Sequence, residues 1–280
     1  MIDLQSRIKS KWEDLEKNSK RPAEIREAKE IEYREFSQLF ENLNFKKIEQ
    51  LIEDFYSGCV YAVKNSFSKK FFEEIKLYLI NNYDNTESTF HKTKENCPNF
   101  HRIIGEKESS KYALKSNRHD YYFFPWNRDK EKLDLFDHFY PKWRLLKLLS
   151  GLKKDEFEKN TPKDGTIDRL LFRIYPNNTG YLETHTEAPT VRIVGAIVMS
   201  KKGKDFDDGG LYFFKDNKPL DVEYALDIGD IALFYGALPH GVQKISSKGD
   251  NGAAKDRWWA CLTNPISDEI ENRTIQKSIY

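Results

Sequence analysis

With 280 residues the chain can build one large domain or two small ones around a real core, which excludes a disulfide-held mini-protein. Its 46 Lys and Arg meet 45 Asp and Glu for a formal charge of +1, so it lacks the broad basic footprint of a nucleic-acid or anionic-membrane binder. Hydrophobic residues are only 39% of the chain but aromatics reach 14%, so burial has to lean on Phe and Tyr.

From Ile2 to about Tyr56 the chain is dense in Glu, Lys and Arg, with Ile25, Ala28, Ile31, Phe36, Leu39 and Phe40 recurring near helical spacing. This segment is expected to be helical, with a further helix over Asn44–Ser57 punctuated by Gly58. We divide the chain into an N-terminal helical region, 1–58, packing on a second domain, 59–280. Cys59–Lys64 alternates like a strand, and Ser68–Ile80 predicts an amphipathic helix with a serine N-cap. Asn81–Asn127 is polar and turn-rich and ends in the aromatic run Tyr121–Trp126, the composition of recognition loops. Lys130–Leu149 predicts a helix that Pro141 should break or kink.

After Thr166 the pattern changes. Leu170–Tyr175, Val191–Met199, Leu211–Phe214, Val222–Leu226, Ile231–Tyr235 and Arg257–Thr263 are short β-type runs separated by turn signals. That spacing predicts an antiparallel sandwich or barrel with its core in 166–265. Asp208-Gly209-Gly210 reads as a tight turn, Ser246–Lys255 as a flexible insertion, and the residues after Pro265 as a peripheral tail. Cys59, Cys97 and Cys261, odd in number and widely spaced, suit free thiols in a reducing compartment. The N-terminus has no apolar leader and no stretch approaches the roughly 18 apolar residues of a membrane span, so the expectation is a cytoplasmic protein away from membranes.

Two of the six histidines stand out by their setting. In extended chain, residues i and i+2 share a face, so His185 and Glu187 can address one point, and His240, after another strand, can supply a third ligand. Two His and one carboxylate form a facial triad that leaves positions open on non-haem Fe(II). His119 and Asp120 are adjacent and therefore face opposite ways, which fits loop recognition or solvent exposure better than a second metal pair. His91, His101 and His138 carry no such signal.

At this point the chain resembles the Fe(II)- and 2-oxoglutarate-dependent dioxygenases, within them the prolyl-hydroxylase branch. The resemblance covers about Leu170–Thr263. It rests on Tyr175-Pro-x-Asn-x-Thr-Gly-Tyr181 leading to His185-x-Glu187, then Asp208-Gly-Gly-Leu-Tyr-Phe213, Gly229-Asp230, Pro239-His240 and Arg257 in that order. It implies a mainly β fold with flanking α: a double-stranded β-helix, the jelly-roll or cupin-like barrel, here braced by the N-terminal helices. It also implies that His185, Glu187 and His240 bind Fe(II), that Arg257 pairs with the distal carboxylate of 2-oxoglutarate, and that Tyr175 donates a hydrogen bond to that cosubstrate. O2 is the co-reactant and ascorbate a candidate reductant. The reaction implied is hydroxylation of an unactivated C–H bond, with 2-oxoglutarate leaving as succinate and CO2.

A buried guanidinium is costly without an anion, and the cosubstrate is expected to supply it. Alternation puts Arg257, Trp259 and Cys261 on one face, and Leu171, Arg173 and Tyr175 on another that can line the same cavity. The chain departs from the prolyl-hydroxylase pattern in carrying Glu187 where most relatives have Asp, and in the long gap from His240 to Arg257, which the insertion explains. Lys255 is the weaker rival anchor. Retention of a carboxylate favours hydroxylation, since related halogenases have Gly or Ala there. Arg173, Arg118, Tyr122 and Trp126 are the substrate candidates. The favoured substrate is a small molecule such as an amino acid or natural-product intermediate. The alternative is a protein or peptidyl-prolyl substrate, and a third reading is a non-catalytic cupin-type metal-binding or sensory barrel. The charged N-terminal helices are read as a brace or as a homodimer contact.

Overall fold

The computed structural model describes residues 3–83, 88–111, 114–188, 190–248 and 256–271. Helix α1 (Leu4–Asn18) starts where the Asp3 side chain accepts a hydrogen bond from the Ser6 N–H at 2.8 Å. Ile8 and Trp12, one turn apart, are its buried face. Trp12 donates from Nε1 to the Leu149 carbonyl at 2.7 Å and stacks on Tyr235 at 5.3 Å, which clamps α1 to the barrel. Helices α2 (Tyr33–Glu41) and α3 (Phe45–Tyr56) bury Phe36 and Phe40, and Ile48, Leu51, Ile52 and Phe55, respectively.

Between α1 and α2 the structure corrects the helical expectation. Glu27–Glu32 is a strand, β1, paired in parallel with β2 (Cys59–Lys64) from Glu27↔Cys59 to Glu32↔Lys64. It half-buries only Lys29 and Ile31. The highly charged sequence suits an edge strand, and what recruits it is the open backbone edge of β2, a partner that local periodicity does not register.

The described chain continues through α4 (Lys69–Tyr83), β3 (Phe100–Ile104), α5 (Glu106–Ser109), β4 (Ser116–Phe123) and α6 (Leu135–Leu149). β3 and β4 lie inside the segment read as loops, and they pair with each other from Phe100↔Tyr122 to Ile104↔Arg118. α6 runs through Pro141 without a break in its assignment. Phe136, Phe139, Tyr140, Trp143 and Leu146 are buried along it, so packing outweighs the hydrogen bond that proline removes.

The remaining strands are β5 (Arg169–Tyr175), β6 (Tyr181–His185), β7 (Ile193–Val198), β8 (Asp208–Lys215), β9 (Lys218–Asp221), β10 (Ile231–Tyr235), β11 (His240–Ser246) and β12 (Arg257–Thr263). One face of the barrel has the order β1-β2-β10-β7-β12-β5-β4-β3, and the other runs β6-β11-β8-β9. β4 joins them, pairing with β5 through His119–Phe123 and with β6 through Ser116 and Asn117. The twelve strands form a jelly-roll that is not closed into a full ring. The run Val222–Leu226, expected as a strand, is instead a 3-10 turn at Glu223–Ala225. Gly209 and Gly210, expected as a tight turn, lie within β8 with φ of +87° and +107°.

The centre of the first sheet is buried on both sides. Ile231, Leu233 and Tyr235 of β10 and Leu170, Phe172 and Ile174 of β5 meet the helices, while Ala232 and Phe234 turn into the barrel with Val194, Ala196, Leu211 and Phe213. Beyond the barrel, Ser267 is fully buried and donates from its N–H to the Gly165 carbonyl at 2.9 Å, so the segment just after Pro265 is tied down. Residues 249–255, most of the expected insertion and including Lys255, lie outside the described residues. Among the described residues no helix is long and apolar enough to cross a membrane.

α6 is also tied to the barrel by charge. Buried Lys147 donates to Asp168 at 2.7 Å, just before β5, and Asp168 accepts from Asn264 at 2.7 Å. Removing one partner strands a buried charge, so Asp168→Ala is expected to lower unfolding stability by about 3–5 kcal/mol. In urea denaturation the double variant Lys147→Met/Asp168→Leu should lose distinctly less than Asp168→Ala; equal losses would mean that the pair is not coupled.

Candidate metal and cosubstrate site

His185 ends β6 and His240 opens β11, and the two are direct cross-strand partners with ring centroids 4.4 Å apart. Glu187 follows β6 and is held by its N–H, which donates to the Gly236 carbonyl at 2.8 Å. Gly236 is required there, because a Cβ would clash with the Val191 carbonyl and lie 3.1 Å from the Glu187 Cβ. Glu187 Oε1 is 3.5 Å from His185 Nε2 and 3.8 Å from His240 Nε2. The three side chains can present one ligand atom each within 4.8 Å of one another.

The far side of each imidazole explains its orientation. His185 Nδ1 lies 3.0 Å from the Glu183 carbonyl and His240 Nδ1 2.9 Å from the Leu238 carbonyl. A carbonyl only accepts, so both Nδ1 atoms carry the proton and both Nε2 lone pairs are free for a metal. Phe234 packs on His240 at 4.6 Å and Phe213 at 6.1 Å. Burial, reinforced by His185, pushes the His240 pKa down to about 3 against the pull of Glu187, which keeps this imidazole neutral at ordinary pH. Two neutral imidazoles and one carboxylate, fixed from behind, suit Fe(II).

Deeper in the barrel Arg257 is buried opposite Tyr175 on the β12–β5 ladder, its guanidinium carbon 5.5 Å from the centre of the Tyr175 ring. The cosubstrate was expected to supply the anion for Arg257, but the protein already provides one. Glu223, itself buried, accepts from Arg257 Nε at 2.7 Å and from Nη2, and also from the Leu211 N–H at 2.7 Å. Gly210 makes room for this carboxylate: a Cβ there would run into the Glu223 side chain. Glu223 was hidden from sequence reading because its segment resembled a strand; the adjacent pair of glycines was the available signal of a close approach.

The pairing leaves Arg257 Nη1 without a hydrogen-bond partner. Tyr175 Oη and Trp259 Nε1 are likewise buried without one. Unpaired buried donors are uncommon and costly, and these three, on neighbouring inward positions of β5 and β12, match the needs of a carboxylate.

The substrate candidates are engaged within the protein. Arg173 and Arg118 both converge on Asp120: Arg173 Nη2 donates to Oδ2 at 2.8 Å and Arg118 Nε donates to the same oxygen at 3.1 Å. Tyr122 adds its hydroxyl at 2.7 Å. Asp120 is fully buried rather than solvent-exposed as expected. Burial disfavours its charge, but Arg173 and Arg118 outweigh that and hold the carboxyl well below the usual range. Arg173 also lies over the Trp259 ring at 5.5 Å. Trp126 stacks on Phe124 at 4.7 Å and donates to the Cys97 carbonyl at 2.8 Å, within a small cluster that includes Cys97, Phe100 and Ile167. A groove of about 430 Å³, lined by residues including Thr184, Tyr212 and Phe214, contains none of the three candidate ligands.

No family model and no curated protein matches the chain by sequence. Solved structures do match. The full-length Neurospora crassa protein in complex with alpha-KG and thymine aligns with a TM-score of 0.50 at 13% identity, over 85% of this chain and 86% of that one. A Pseudomonas putida prolyl-4-hydroxylase aligns at 0.48 and 12% identity, over 78% and 98%. JOX2 in complex with 2OG, Fe and JA aligns at 0.48 and 13%, over 100% and 86%. The chain thus has a jelly-roll fold similar to that of the Neurospora crassa protein bound to alpha-KG and thymine, with a His–Glu–His set whose donor chemistry suits Fe(II).

Proposed function

We propose that the protein is a non-haem Fe(II)- and 2-oxoglutarate-dependent oxygenase that hydroxylates a C–H bond of a small molecule. The observation that carries this reading is the convergence of His185, Glu187 and His240, with both Nδ1 atoms turned onto backbone carbonyls. When bound, Fe(II) with 2-oxoglutarate supplies oxidising power from O2 that side chains do not have. The protein's own part is positioning and exclusion of water. His185, Glu187 and His240 hold the metal at one face of the barrel, and Phe213 and Phe234 wall it off.

In this reading Arg257 Nη1, the Tyr175 hydroxyl and the Trp259 indole N–H receive the distal carboxylate of the cosubstrate. Glu223 keeps Arg257 in place by holding its Nε–Nη2 edge, so the unpaired Nη1 is presented in a fixed orientation. A small molecule is favoured over a peptide by the near-neutral balance of the chain and by the partly buried Arg173 and Arg118.

Anaerobic addition of Fe(II) and 2-oxoglutarate should produce a visible charge-transfer band, and His240→Ala should lose it while retaining wild-type circular dichroism. A folded wild-type protein without the band would remove the cofactor assignment. A hydrogen bond to a charged group contributes about 1.5–3 kcal/mol, so Tyr175→Phe should weaken 2-oxoglutarate binding roughly tenfold or more in a titration of that band. Unchanged affinity would exclude Tyr175 from the cosubstrate site.

A further inference from the structure

β5 directs Arg169, Leu171, Arg173 and Tyr175 to one side, and β12 pairs them with Thr263, Cys261, Trp259 and Arg257 in that order. At about 3.3 Å per residue the ladder spans about 20 Å from Tyr175–Arg257 to Arg169–Thr263. Cys261 reports what surrounds its middle. Burial pushes its thiol up to about 12, Glu187 adds to the rise, and Arg173 and Arg169 oppose it. The thiol is therefore within electrostatic reach of the triad carboxylate and of both guanidiniums, with Arg169 beyond it on the side away from Arg257.

The charges on this stretch do not cancel. Arg118 and Arg173 share the single carboxylate of Asp120, and Glu187 belongs to the metal set. Arg169 donates from Nε to Thr263 Oγ1 at 3.2 Å and lies over the Tyr122 ring at 4.9 Å, but among the described residues no carboxylate comes within ion-pair distance of it. Among the described residues its two Nη groups have no hydrogen-bond partner, and the residue stays partly open to solvent. Burial holds the guanidinium below the ordinary arginine range; Tyr122 and Asp120 oppose the drop without cancelling it and Arg173 adds to it, so the group gains from an incoming anion. An arginine oriented by an aromatic ring, with two free N–H donors, fits one carboxylate in a fork.

From this placement we infer that Arg169 anchors the carboxylate of the substrate, and that the substrate class is a small carboxylic acid entering from the side of Cys261 opposite Arg257. The inference rests on the oxygenase reading above. Arg173, the earlier candidate, instead orders the wall of the cavity through Asp120.

The test uses protein loaded anaerobically with Fe(II) and 2-oxoglutarate. It is titrated with monocarboxylates, other dicarboxylates and amino acids, each beside its primary amide, and with inorganic phosphate, and binding is read as a saturable rise in Tm. At least one carboxylate is expected to bind, with its amide at least tenfold weaker and Arg169→Gln weakening the acid at least tenfold. Arg169→Lys keeps the charge without the fork; it should weaken the same acid at least threefold, and it serves where the Gln variant fails to fold. The inference is overturned if acids and amides bind alike, if the variants bind the acid as wild type does, if phosphate binds in place of every carboxylate, or if no panel member binds. Loss of the charge-transfer band in wild type would strike the oxygenase reading itself, whereas an intact band with unaltered acid binding in the variants would strike only the role of Arg169.

Discussion

The antiparallel pairing of β6 with β11 is the constraint on which the site depends. It sets His185 directly against His240, two residues separated in the chain by most of the barrel. The ladder, in the register that burial of one face selects, thereby fixes the separation of two candidate metal ligands. The carbonyls of Glu183 and Leu238 then settle which ring nitrogen faces inward. Glu187 is added from just beyond the strand end, through its backbone bond to Gly236.

A second constraint is the cost of charge inside the barrel. Inside the barrel Glu223 answers Arg257 from a separate turn, while Asp120 answers Arg173 across the β4–β5 ladder and Arg118 on its own strand. These pairs do more than neutralise. Glu223 takes one edge of Arg257 and leaves Nη1, like the Tyr175 hydroxyl and the Trp259 indole N–H, without a hydrogen-bond partner, which under the proposed function divides the guanidinium into a structural edge and a binding edge. Arg169 is the arginine on this ladder for which no such answer is found among the described residues.

Much of the fold was legible because the strands from Arg169 onward carry β-branched and aromatic residues between clear turn signals. Ile231–Tyr235 and Arg257–Thr263 coincide with the expected runs, as does Cys59–Lys64. Failures occurred where tertiary partners overrode local pattern. Charged Glu27–Glu32 is a strand because β2 offers it an edge. The α6 helix survives Pro141 because five large side chains along it are buried. Glu223 escaped notice because a carboxylate buried against an arginine on another element leaves no periodic trace.

By itself the sequence singled out the candidate ligand set. His185, Glu187 and His240 were identifiable from residue chemistry, two-residue spacing and the order of the surrounding motifs, which are properties of the chain read locally. Only the tertiary structure decided how the arginines are used. Whether a guanidinium is a free anion receptor or half of an internal ion pair depends on which carboxylate lies within about 4 Å of it, and that distance is set by strand register and packing between residues far apart in the chain. On that basis Arg173 and Arg118 are partners of Asp120, while for Arg169, unmarked in the sequence, no carboxylate partner is found among the described residues.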